Sequence, residues 1–153
     1  MSRHNKIYIF IALFFCVLVF SACAKKEEVF LGGKTVRVNG QEFAVEIADT
    51  PAKWSQGFSE RESLAENSGM LFVYDDYNIR SFWMKEMKFP LDIVWIKDDV
   101  VAGCSEKVQI LDKNGHISRV LSLDEVNYVL EINSGLCAKY GIKKGVKFDT
   151  KID

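Results

Sequence analysis

Histidine is nearly missing from this chain. Of its two copies, His4 lies in an N-terminal stretch that reads as a removable signal. His116 alone is left to the mature protein, in the turn-forming run DKNGHIS. That shortage excludes a histidine-rich zinc site, which needs several nitrogen, sulfur or carboxylate ligands converging. It also weighs against a Ser-His-Asp triad or a cysteine nucleophile with a neighbouring base, since each would borrow the same solvated turn histidine. Excess positive charge is missing too. The formal net charge is -1, and leaving out Arg3 and Lys6 with the signal takes it to -3, so no basic field exists to hold nucleic acid. The glycines Gly57, Gly69 and Gly103 are scattered and make no phosphate-cradling loop. They read as turn or bulge positions. Repeats, low-complexity tracts and long linkers are likewise absent.

What is present begins with a processing signal. Arg3 and Lys6 precede the apolar run IYIFIALFFCVLVF (residues 7–20), and Ser21-Ala22-Cys23 follows. Small residues directly before a cysteine resemble the lipobox of bacterial lipoproteins, with Phe20 where leucine is more usual. The expectation is a signal peptide over 1–22, diacylated Cys23 as the new N-terminus, and a tether over 23–33 containing AKKEEV. The alternative is an uncleaved anchor, since the apolar run is only slightly short of the roughly 20 residues that span a bilayer. Both place the rest of the chain in the cell envelope, outside the cytoplasmic membrane. Residues 34–153 then form one domain, of a length that buries about two-thirds of its unfolded surface.

Cysteine is also sparse. With Cys16 lost in the signal and Cys23 lipidated, Cys104 and Cys137 remain. Two thiols in an oxidising compartment can pair, given Cα atoms within about 7 Å. Cys137 is equally comfortable as a small buried apolar side chain, and the sequence leaves both readings open, leaning to the second.

Strand patterning dominates the domain. KTVRVNGQEFAVEIA alternates apolar and polar residues on either side of Asn39-Gly40, a strong hairpin signal. Asp49 or Thr50 can cap a helix of about two turns that has Pro51 at its first position and ends near Gly57. MLFVY and FWM read as strands of a hairpin or of neighbouring sheet edges. LDIVWI and VVAGCSEKVQI continue the series across Lys97-Asp98-Asp99, and NYVLEI is a further strand. Asn133 or Ser134 can cap a second short helix ended by Gly141, with a last strand after Gly145. Ser122-Leu123-Asp124-Glu125 fits a capping box, but the β-rich NYVLEI follows at once, so no helix is expected there. The fold class is mainly β, a small α+β domain: an antiparallel β-sandwich or partly closed barrel with two short helices.

Several ordered motifs between Val45 and Phe148 resemble the bacterial and archaeal family called domain of unknown function 192. They are Gly57 with Arg61, Gly69-Met70-Leu71-Phe72, Phe82-Trp83-Met84-Lys85, Pro90-Leu91-Asp92, Leu130-Glu131, and the glycines Gly135, Gly141 and Gly145. The resemblance implies a small β-rich fold, frequent export and no agreed activity. The chain departs from the pattern at Gln56, usually arginine, and at Glu86-Met87, usually Asn-Thr.

The candidate ligand-binding residues are Arg61, Trp83, Lys85, Asp92 and Glu131. Asp92 and Glu131 fall on apolar strands, where a charge is costly unless paired. One reading pairs Asp92 with Lys85 or Arg61 and Glu131 with another cation, fixing the sheet register. Another brings Arg61, Lys85, Asp92 and Glu131 together as a charged cleft walled by Trp83. A third uses the two carboxylates as acid and base on a glycosidic bond. Alternation places Phe82 and Met84 on one side and Ser81, Trp83 and Lys85 on the other. Trp54, Trp83 and Trp95 are stacking candidates, with core packing the plainer role. No cofactor and no metal is called for. The leading expectation is a non-enzymatic, lipid-anchored envelope module that binds a small ligand or an envelope protein. The alternative is a carboxylate-based hydrolase or lyase acting on envelope polysaccharide.

Overall fold

A computed structural model describes residues 33–150. The expected signal peptide 1–22, Cys23 and the tether up to residue 32 lie outside the described residues. The chain enters a hairpin, β1 (Lys34–Val38) and β2 (Gln41–Ala48), turned by Asn39 and Gly40 at φ 49° and 82°. Positive φ at both turn positions is what a two-residue type I′ turn requires, and Asn-Gly tolerates it. Helix α1 (Pro51–Gln56) follows. The Thr50 side chain accepts the Lys53 N–H, and Pro51 takes the first turn, where its missing N–H has no helical partner anyway.

The remaining elements are β3 (Ser68–Asn78), β4 (Ser81–Trp83), β5 (Leu91–Lys97), β6 (Val100–Val108), β7 (Arg119–Leu121), β8 (Val126–Asn133), α2 (Leu136–Tyr140) and β9 (Phe148–Thr150). Seven strands form one sheet in the order β6-β5-β8-β3-β2-β1-β9, and β4 with β7 forms a second, two-stranded sheet. The large sheet is antiparallel except for β2 with β3, which run parallel because α1 carries the chain across. It curls until its two edges meet. Val100 bridges Lys147, and the Val101 N–H donates to the Val146 carbonyl at 2.9 Å. The architecture is therefore mainly β, and of the two expected forms it is the partly closed barrel.

Both faces of the central strands are covered, which explains why β5 reads LDIVWIK with almost no polar alternation. The inner face packs Val36, Phe43, Leu71, Val94, Ile96, Leu130, Ile132 and Phe148 beneath α2, which adds Leu136 and Cys137. The outer face packs Phe58, Met70, Phe72, Met84, Leu91, Ile93, Trp95 and Val129. Phe82 is half-buried and edge-on to Phe72 and Trp95, with ring centroids 4.8 and 5.7 Å away.

Four local expectations change. MLFVY and FWM lie in different sheets, in β3 and β4. Neither Asn133 nor Ser134 caps α2: Gly135 stands at the N-cap with φ 91°, while Asn133 ends β8 and donates from Nδ2 to the Leu64 and Ala65 carbonyls. Strand β7 appears where no strand was expected, as partner to β4. Gly69 is neither turn nor bulge. It sits in the β3–β8 ladder opposite Ile132, where a Cβ would lie 2.6 Å from the Glu131 carbonyl oxygen. The capping-box match at Ser122 forms no helix, and its Oγ accepts the Arg80 N–H at 2.9 Å instead.

Candidate functional site

Glu131 lies in the middle of β8, opposite Met70 on one side and Ile93 on the other. Strand alternation turns it to the outer face, alongside Val129, while Leu130 and Ile132 fill the inner core. It is 5% exposed, and its Oε2 has no hydrogen-bond partner among the described residues. Burial pushes the carboxyl up to about 8 by disfavouring its charged form. A buried polar atom without a partner is rare and costly in a folded protein.

That carboxyl helps line a small cavity of about 30 Å³. One wall is the crossover after β2: Trp54, Ser55 and Gln56 from α1, then Gly57, Phe58 and Ser59. The other is aromatic and sulfur-bearing, made by Phe72 on β3, Phe82 and Trp83 on β4, and Met87. Gly57 has φ 48°, and a Cβ there would meet Glu131 Oε2 at 3.7 Å, so the glycine both ends the helix and keeps the approach to the carboxyl clear. Trp54 is oriented by its indole N–H, which donates to the Ala48 carbonyl at 2.9 Å, and its ring packs on Tyr74 at 4.7 Å. Burial raises the Tyr74 phenol to about 12, with the Glu131 charge adding in the same direction. Arg80 stacks on the Tyr74 ring, 3.7 Å from its centroid.

Trp83 also lines this cavity. It is 50% exposed, whereas Met84 beside it is buried, the split that alternation along β4 anticipates. Lys85 and Arg119 approach the indole, at 5.5 and 5.3 Å from the ring. Lys85 also pairs with Glu86 at 3.5 Å.

The other candidates lie elsewhere. The Arg61 guanidinium pairs through both terminal nitrogens with the Glu46 carboxylate and lies 5.1 Å from the Phe58 ring. Asp92 points to the inner face, fully buried, and pairs with no cation among the described residues. Its Oδ1 accepts the Lys107 N–H and its Oδ2 the Cys137 N–H, each at 2.7 Å. Beside it, Cys104 and Cys137 are joined as a disulfide between β6 and α2. The structure therefore brings Trp83 and Glu131 to one cavity and sets Arg61, Lys85 and Asp92 apart from it. Asp92 and Glu131 face opposite sides of the sheet and cannot flank one glycosidic bond. The cavity also uses Trp54, one of the three stacking candidates, and residues not expected as site members: Gly57, Phe58 and Phe72. Gly57 and Phe72 do stand in the ordered motifs, but nothing local marked them as neighbours of Glu131.

The profile of the family described as uncharacterised ACR, the domain of unknown function 192, matches residues 34–150. A protein of unknown function from Novosphingobium aromaticivorans has a similar crystal structure, with a TM-score of 0.69 at 29% identity, covering 84% of this chain and 94% of that one. A protein from Sinorhizobium meliloti described as a candidate transcription regulator is similar too, with a TM-score of 0.69 at 28% identity over 76% of this chain and 92% of that one. No curated protein matches.

Proposed function

We propose that this chain, which belongs to the domain of unknown function 192 family, is a non-enzymatic, lipid-anchored module of the cell envelope that binds a small polar ligand at Glu131. One observation carries the reading: Glu131 Oε2 is buried, has no partner among the described residues, and lines a cavity that the half-exposed Trp83 also lines. A polar group aimed into an aromatic pocket is the usual make-up of a small-ligand site. Lipid attachment rests on Ser21-Ala22-Cys23, and two acyl chains suffice for stable anchoring.

The test is a binding screen of small polar compounds on the full chain, read from tryptophan fluorescence and from the amide signals of Gly57 and Glu131. Ligands should perturb those signals and lose at least tenfold in affinity in Glu131→Gln and Trp83→Ala. Ligands that bind both variants as tightly as the wild type would place the binding surface elsewhere.

A further inference from the structure

We infer that the cavity over Glu131 receives a protonated primary amine on an unbranched alkyl stem, an inference that rests on reading this cavity as the ligand site. Size is the first argument. At about 30 Å³ the cavity holds a group the size of one water molecule. An ammonium head fits; a planar guanidinium does not. Lining is the second. The rings of Trp54, Phe58, Phe72, Phe82 and Trp83 surround the space, and aromatic faces attract cations.

Hydrogen-bonding capacity is the third argument. The Trp54 N–H is committed to the Ala48 carbonyl and the Ser59 hydroxyl to the Lys85 carbonyl, which leaves Ser55 and Gln56 as neutral polar side chains of the lining and no cationic one to hold an anion. Glu131 Oε2 is an open acceptor. An anionic head would meet ring faces at every pH and, once Glu131 ionises near pH 8, a carboxylate as well, each repulsive. A neutral hydroxyl could donate to Oε2 but would leave the charge uncompensated whenever the carboxyl ionises. An ammonium supplies the missing charge and the missing donor together.

The groups around the carboxyl keep its titration simple. Glu131 is the one charged residue among those lining the cavity. Tyr74, on the neighbouring β3, stays neutral, and Arg80 stacks over the Tyr74 ring. Lys85 and Arg119 stand against Trp83 and do not line the cavity. Binding of an ammonium then displaces the proton that Glu131 carries below about pH 8. Affinity should rise about tenfold from pH 6 to 7, about fivefold more by pH 8, and level off above, while the amine itself stays protonated to about pH 10.

The experiment titrates n-butylamine, n-butanol and butyrate into the full chain at pH 6, 7 and 8, following the Gly57 and Glu131 amide signals. Butylammonium should saturate them, with a dissociation constant falling about 50-fold from pH 6 to 8, and butyrate should not bind. Glu131→Gln, its fold checked by thermal unfolding, should lose both the pH dependence and at least tenfold of the affinity at pH 8. Butanol binding as tightly as butylamine, or butylamine binding independently of pH, overturns the amine and leaves the ligand cavity standing. Silence of both amides to all three probes overturns the amine and the cavity reading together.

Discussion

Asp92 and Glu131 belong to paired strands and are one register step apart, Asp92 opposite Ile132 and Glu131 opposite Ile93, so they project from opposite faces of the same sheet. Each is buried, yet their environments differ in kind. Asp92 is held by two backbone N–H donors, from Lys107 and Cys137. Glu131 has an oxygen with none. The first is a satisfied clamp between β6 and α2; the second is a stored instability that a ligand can relieve.

That instability has a pH signature. The Glu131 carboxyl moves from 4.5 when unfolded to about 8 when folded, so between these values the native state holds a proton that the unfolded chain has lost. Its contribution is fully present below about pH 4.5 and is lost as pH rises to about 8, at about 1.4 kcal/mol per pH unit. Urea unfolding at pH 5, 6 and 7 should show wild-type stability falling relative to Glu131→Gln with that slope. Parallel curves for the two proteins would show a carboxyl with an ordinary pKa.

Gly69→Ala should destabilise the fold by about 1–3 kcal/mol through overpacking, because its Cβ would press on the Glu131 carbonyl at 2.6 Å. Chemical denaturation checks the cost. A further readout is the Glu131 titration, which the same push on β8 should displace.

The Cys104–Cys137 disulfide closes a loop between residues 33 apart in sequence. In the chain-entropy account its loss costs about 3–4 kcal/mol. Mass spectrometry after thiol blocking without reductant should find neither thiol blocked, and Cys104→Ala with Cys137→Ala should lower the unfolding midpoint accordingly. Two blocked thiols in protein taken from the envelope would contradict the bond.

Phe82 and Trp83 both line the cavity but should differ in what they contribute to stability. Phe82 lies between Phe72 and Trp95, so Phe82→Ala leaves a cavity costing about 3 kcal/mol or more. Trp83 is half exposed, and Trp83→Ala should cost less stability while weakening ligand binding at least tenfold. Equal thermal destabilisation by the two substitutions would show that Trp83 belongs to the core.

Anchoring is checked by fatty-acid labelling. Wild type should label and Cys23→Ser should not. Equal labelling, or full-length unprocessed protein from both, would sink the lipoprotein reading.

Local chemistry made much of this fold legible. Asn39-Gly40 forces its hairpin, Thr50-Pro51 starts α1, and alternation in Phe82-Trp83-Met84 predicts which ring is wet. What escaped depends on distant partners. Whether Asp92 and Glu131 share a face is decided by the register of β5 on β8, which no short stretch encodes. Asp92 was expected to seek a cation, but backbone N–H groups from Lys107 and Cys137 satisfy it, and every residue type except proline offers such donors. The three residues of β7 carry too little pattern to announce a strand without β4 beside them.

The parallel step from β2 to β3 divides the cavity between two kinds of structure. Its carboxyl belongs to β8, at the centre of the sheet, where neighbouring strands hold both sides. Much of its wall belongs to a crossover whose helix buries none of its own residues. Floor and wall therefore change under different constraints. Residues such as Ser55 and Gln56 can be exchanged at little cost to the core, so a single barrel can keep one acidic floor, with Gly57 and Phe58 fixed beside it, and be refitted at the exposed helix positions to ligands of different shape.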